Sequence, residues 1–106
     1  MKNKKARIFL AGHNGLVGGA ILKKLAVNGY KNIITVSKKS LDLRDQKKVF
    51  EFIKKKKPNF IINAAASVGG IAANNTFKAD FIYNNISIQN NLIHSAFLNG
   101  IKNLIF

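Results

Sequence analysis

The sequence has 106 residues, enough for one small domain, and its 47% hydrophobic and 21% charged content excludes a chain that is disordered by composition. It holds no Cys, which excludes disulfides, thiolate metal centres and thiol nucleophiles, and two histidines, His13 and His94, are too few to suggest a metal site. The net charge of +14, from 18 Lys+Arg against 4 Asp+Glu, fits either attraction to polyanions or the joint enrichment of Lys, Asn and Ile that AT-rich coding produces. Arg is scarce and the lysines are dispersed, so composition favours the second origin and no nucleic-acid partner is expected. No membrane partner is expected either. The most apolar stretch, Phe60 to Ala73, is short and is broken by Asn63, Ser67, Gly69 and Gly70. A cytoplasmic location is the corresponding expectation.

Ala6 to Ala11 (ARIFLA) is apolar and rich in β-formers, and predicts a buried strand. Gly12 to Gly18 is a glycine-rich turn. Leu16, Ala20, Ile21 and Leu25 then recur at helical spacing, with Gly29 as the stop. Ile33 to Val36 predicts a second strand, and Leu41-Asp42-Leu43 a very short third one. Asp45 is the expected N-cap of a helix to about Lys57, with Val49, Phe50 and Ile53 on its buried face. The run Lys54 to Lys57 reads as its solvated last turn, where positive charge complements the helix dipole, and Pro58 follows as a stop. Phe60 to Ala65 predicts the fourth strand and Ala66 to Asn75 a small-residue loop. A long helix is expected from about Lys78 to Leu98, with Ile82, Ile86, Leu92, Ile93 and Ala96 among its apolar positions and Gly100 as stop. Asn103 to Phe106 opens a fifth strand.

Continuously apolar strands alternating with amphipathic helices specify an α/β fold with a parallel sheet covered on both faces. Right-handed crossovers give a Rossmann-type doubly wound sheet of order 3-2-1-4-5, one domain over residues 1–106. An apolar strand interrupted at Phe106 suggests the front part of a longer protein.

The strongest local signal is Gly12-His13-Asn14-Gly15-Leu16-Val17-Gly18, directly after a strand and directly before a helix. Such a loop aims backbone N–H groups and a helix N-terminus at a pyrophosphate. Gly12 would make the turn, Gly15 would admit the phosphate, and Gly18 would let helix and strand pack closely. The tip of the second strand carries Ser37-Lys38-Lys39-Ser40 in place of the acid that would bind the free ribose of NAD. Two ammonium groups there suit a 2′-phosphate, which favours NADP; they also suit a plain solvated surface. Asp42 could accept from an adenine amino group or act as a turn acid pairing with nearby lysines. Ala64, Ala65 and Ala66 are small enough for a cofactor to lie against the backbone, or for packing alone. Asn85 could hydrogen-bond backbone across the sheet or be plainly exposed. His13 and His94 read as structural, and no Ser-His-Asp set, carboxylate pair or metal cluster stands out.

The blocks AGHNGLVGGAI, SLDLRD and INAAASVGGIAANNTFKADFIYNN together resemble the start of the GDP-L-fucose synthase family, which are extended short-chain dehydrogenase/reductases. The resemblance runs from about Arg7 to Phe106. Many reductases and epimerases share the first block; the VGGIAANNT and ADFIYNN segments are more specific. The resemblance implies an NADPH-dependent enzyme that epimerises C3 and C5 of GDP-4-keto-6-deoxy-D-mannose and reduces C4, a homodimer when complete. It maps NADP contacts onto Gly12, His13, Asn14, Gly15, Leu16, Val17 and Gly18. It maps further contacts onto Lys38, Lys39, Ser40, Leu41, Asp42 and Leu43, with Ala64, Ala65 and Ala66 nearby. Asn14 stands where the family often has Arg, and Lys78 where it commonly has Pro. The family's Tyr-x-x-x-Lys pair and sugar-nucleotide domain would lie past Phe106. Neither Tyr30 nor Tyr83 is followed by Lys four residues later, so no catalytic residue is expected here.

Overall fold

A computed structural model describes residues 3–65 and 78–106. Strand β1, Ile8–Ala11, is buried along its whole length. Its side chains alternate, Ile8 and Leu10 entering one apolar cluster and Phe9 and Ala11 another. This period of two, apolar on both sides, is what a central parallel strand needs. Helix α1, Leu16–Val27, covers the first face with Leu25 and the half-buried Ile21 and Leu22. Helices α2, Gln46–Lys56, and α3, Lys78–Leu98, cover the second face with Val49, Ile53, Leu92 and Ala96. Phe52 closes that side, its ring 4.9 Å from that of Phe9.

The remaining strands are β2 (Ile33–Ile34), β3 (Phe60–Asn63) and β4 (Asn103–Ile105). All pairings are parallel, in the order β2-β1-β3-β4. The chain thus moves one way from β1 to β2 and the other way to β3. In such a sheet the ligand crevice lies at the C-terminal ends of the strands where the winding reverses, here β1 and β3.

This is the expected order with its third strand missing. Leu41-Asp42-Leu43 is not a strand because its neighbourhood spends its backbone donors locally. Ser40 and Leu41 N–H both donate to the Ser37 carbonyl, at 3.1 and 2.9 Å, and Arg44 N–H donates to the Asp42 carboxylate at 3.0 Å. These turns leave no ladder to extend the sheet. The first, second and fourth expected strands are also trimmed, to Ile8–Ala11, Ile33–Ile34 and Phe60–Asn63.

Both long helices stop as their glycines predict. Gly29 (φ 87°) and Gly100 (φ 72°) are left-handed, and the next residues, Tyr30 and Ile101, bond back to Leu25 and Ala96. That pattern closes the last carbonyls of a helix. Asp45 caps α2 by accepting from Lys48 N–H at 3.1 Å. Several apolar expectations change, among them Ala20 of α1, which is exposed. Leu16 is 93% exposed, because the first turn of α1 stands past the end of β1 with no described residue over it. Phe50 is half-buried. On α3, Ile82, Ile86 and Ile93 are exposed, and the packed stripe is Ile88, Leu92 and Ala96, spaced by four.

Candidate functional site

The loop between β1 and α1 is built by contacts that only glycine allows. Gly12 has φ 84°, and a Cβ on it would stand 2.5 Å from Ala65 N and 2.6 Å from Ala64 O. The loop therefore lies directly on the end of β3, where Ala64 N–H continues the ladder to the Ala11 carbonyl at 2.9 Å. A Cβ on Gly18 would stand 1.8 Å from Gly12 O, so α1 meets the turn without clearance. Gly15 differs. Its φ of −78° suits any residue, and a Cβ there would come no nearer than 3.6 Å to the described residues. Among the described residues nothing sterically requires glycine at 15.

Gly15 is also the N-cap of α1, and it supplies no side-chain acceptor. The first turn carries no acid. The N–H groups of Leu16, Val17 and Gly18 thus lie at a helix N-terminus that no side chain caps among the described residues, where the dipole favours an anion. Leu16 and Val17 flank that opening, 93% and 64% exposed. His13 is half-buried within the loop and Asn14 is exposed.

The second expected patch is a tight turn. The Ser37 and Ser40 hydroxyls lie 3.1 Å apart, and the turn places Lys38 and Lys39 at its exposed tip. Asp42 follows, engaged by Arg44 rather than by a lysine. Arg44 Nε donates to Oδ1 at 3.0 Å and Nη2 to Oδ2 at 2.9 Å. These side-chain hydrogen bonds, with the Arg44 backbone N–H, pull the Asp42 pKa down to about 2; Lys38 adds a smaller favourable field. The bond to Asp42 raises Arg44 in turn. Three protein bonds use only part of a carboxylate's acceptor capacity, so Oδ2 retains room for another donor.

Two residues that sequence reasoning passed over hold this segment in place. Asn91 donates to the Leu43 carbonyl at 2.9 Å, and Arg44 Nη1 donates to Asn84 at 3.3 Å, tying the Leu41–Leu43 segment to α3. Both links join residues forty or more positions apart, and no local pattern announces them. Leu41 is buried in the α2–α3 cluster and Leu43 packs against it. Ala64 and Ala65 are half-buried beside Gly12, and Ala65 N–H is held by the Asn63 side chain at 2.9 Å. Ala66, and the VGGIAANNT segment that carried much of the resemblance, lie outside the described residues. Asn85 is half-buried and His94 exposed, both on α3.

A parallel sheet with helices on both faces, and a glycine turn at the reversal between β1 and β3, define a Rossmann-type domain. Residues 8–106 match the family model described as the NAD dependent epimerase/dehydratase family, and the chain belongs to that family. It is 51% identical, over its whole length, to GDP-L-fucose synthase 1 of Arabidopsis thaliana, and covers 33% of that protein. It is 42% identical over 96% of its length to GDP-L-fucose synthase of Escherichia coli K12, covering 32% of it. Among solved structures it superposes on the GDP-mannoheptose C4 reductase of Campylobacter jejuni with NADP bound, at a TM-score of 0.92 and 38% identity. That match covers 98% of this chain and 31% of the other. The chain spans about a third of the length of the curated relatives it matches.

Proposed function

We propose that this chain is the NADP(H)-binding portion of a GDP-L-fucose synthase, which epimerises C3 and C5 of GDP-4-keto-6-deoxy-D-mannose and reduces C4. The observation that carries this reading is the 51% identity across all 106 residues to a protein of that name, a span that includes the whole Gly12–Gly18 loop. The local geometry fits a dinucleotide. Leu16, Val17 and Gly18 N–H groups would hold the pyrophosphate, with Gly15 leaving it room. Lys38 and Lys39 would face the 2′-phosphate, and Ser40, Leu41, Asp42 and Leu43 the adenosine end, with the free lone pairs of Asp42 available to the adenine amino group. Ala64, Ala65 and, by sequence alone, Ala66 would form a wall without bulk. NADPH, when bound, supplies the hydride for reduction of the sugar carbonyl.

These residues bind and orient; they do not supply the proton that the nascent C4 alkoxide requires. That proton needs an acid of suitable pKa beside the carbonyl. The 106 residues contain no Tyr-x-x-x-Lys pair to provide it. In the same reading the complete enzyme is a cytoplasmic homodimer, and the exposed Ile82, Tyr83 and Ile86 of α3 are apolar surface that a second subunit could cover.

The deciding assay is NADPH oxidation by the complete protein with GDP-4-keto-6-deoxy-D-mannose, followed by identification of the sugar. GDP-L-fucose is the expected product. Reduction at C4 without inversion at C3 and C5 would instead favour a simple C4 reductase like the 38% identical Campylobacter protein. No NADPH oxidation would remove the reading.

A further inference from the structure

The sheet has a second end, where the strands begin, and it holds a groove of about 470 Å³. That size is in the range of small-molecule sites. Four cations line it: Arg7 from the approach to β1, Lys54 and Lys57 from the end of α2, and Lys102 from the approach to β4. No carboxylate lines it, and the only ion pair among the described residues is the distant Asp42–Arg44 one. Lys54 alone would be an ordinary partner of a helix dipole. Arg7 and Lys102 belong to no helix, so the dipole explains neither.

The groove is held together by hydrogen bonds. Arg7 Nε donates to the Lys57 carbonyl at 2.7 Å, and Arg7 N–H donates to the Asn59 side chain at 2.9 Å. Asn103 Nδ2 reaches the Asn59 carbonyl at 3.3 Å. Fixing Arg7 through Nε leaves both its Nη groups without a protein partner among the described residues. A guanidinium presented this way offers a planar fork suited to phosphoryl oxygens. Lys57 is the one described non-glycine residue with positive φ, at 49°. A glycine would adopt that conformation without strain, and a lysine there carries its charge to the groove at a conformational cost.

Two helices end at this groove, and bare C-terminal carbonyls would repel an anion. Several of these carbonyls are bonded within the chain. Lys57 N–H bonds Ile53 O, Ile101 N–H bonds Ala96 O at 2.9 Å, and the Asn99 side chain bonds Ser95 O at 2.8 Å.

We propose that this groove binds a polyphosphate anion, at a site separate from the cofactor loop by the length of β1, roughly 15 Å. Adjacent phosphoryl groups match several cations lining one groove where a single carboxylate or chloride does not. The shared chemistry is a chain of phosphates, either bare or carried by a nucleoside.

The test is calorimetric titration of the full chain with inorganic tripolyphosphate and, separately, with GTP, at 150 mM salt. The Arg7 Nε–H resonance is followed by NMR in the same samples. One of the two probes should bind with a shift of that resonance; comparable affinity for both would identify the phosphate chain alone as the ligand, and a preference for GTP would add the nucleoside. The double variant Lys54→Gln/Lys102→Gln should weaken binding at least tenfold. The variant Lys23→Gln/Lys31→Gln removes the same charge from exposed positions elsewhere and should change it less than twofold. Arg7→Lys, which keeps charge and loses the fork, should weaken it severalfold while melting remains cooperative. Equal losses in the two lysine pairs would mean diffuse attraction and overturn the proposal. So would shifts confined to the Gly12–Gly18 amides, or no binding at that salt.

Discussion

Three glycines within five residues should respond to alanine in three different ways. At Gly18 the new methyl would stand 1.8 Å from Gly12 O and 2.6 Å from Gly12 C, both backbone atoms. Relief requires α1 and the loop to part by more than an ångström. Overpacking of this kind costs about 1–3 kcal/mol or more, against a helix-propensity gain of up to about 1 kcal/mol. The expected net loss for Gly18→Ala is about 2 kcal/mol. At Gly19 the nearest atom among the described residues would be His13 O at 3.5 Å, an ordinary contact, so Gly19→Ala should gain about 0.5–1 kcal/mol. Adjacent positions in one helix would then differ by about 3 kcal/mol, which in a chain of this size is a gap of more than about 10 °C in Tm. Gly15→Ala should cost less than about 1 kcal/mol of stability, because its φ is ordinary and its contact is 3.6 Å. The same change should reduce NADP affinity at least about tenfold, or about 1.4 kcal/mol. Thermal melts and NADP titrations of the three variants test this together. A Gly18→Ala protein that melts at or above the wild type would refute the packing argument. Undiminished NADP binding by Gly15→Ala would refute the role given to that glycine.

Replacing Lys38 and Lys39 together with Ala should erase most of an NADP-over-NAD preference, about tenfold or less for exposed contacts, and leave NAD affinity nearly unchanged; equal loss for both cofactors would assign the lysines to the fold. Because Asp42 is held near pKa 2, from an ordinary 3.8, its bonds to Arg44 support the Leu41–Arg44 turn above about pH 4. That support should fade as pH falls toward 2, and Arg44→Gln should return the Asp42 midpoint toward 3.8 in a carboxyl NMR titration; an unmoved midpoint would contradict the assignment. The 106-residue chain should show no turnover of GDP-4-keto-6-deoxy-D-mannose, and a rate near that of a complete synthase would place the proton donor within these residues.

The parts of the molecule legible in its sequence are those whose cause is local. Ile8–Ala11 is apolar at every position because both its faces are covered, and Gly29 and Gly100 end helices through their own backbone freedom. The Gly12–Gly18 loop was legible for the same reason, its glycines marking a turn between strand and helix. Leu41-Asp42-Leu43 read as a strand because its composition suits one; the Ser37 turn and the Asp42–Arg44 fork that fold it otherwise are polar contacts that hydrophobic pattern does not register. Leu16 fits the helical stripe yet has no sheet beneath it. The groove around Arg7 was hidden by distance along the chain, since Arg7 and Lys57 are fifty residues apart and each looks like one more surface cation.

The proposed cofactor site stands or falls on whether the N-terminus of α1 receives the pyrophosphate of NADP. The Leu16, Val17 and Gly18 amides have no side-chain cap, so they should exchange hydrogen readily in the free chain. Residue-resolved hydrogen exchange with and without saturating NADP measures them directly. Slowing is expected at Leu16, Val17 and Gly18, joined by weaker slowing over Lys38 to Leu43. Saturable NADP binding that leaves those three amides unprotected, or no NADP binding at all, would contradict it.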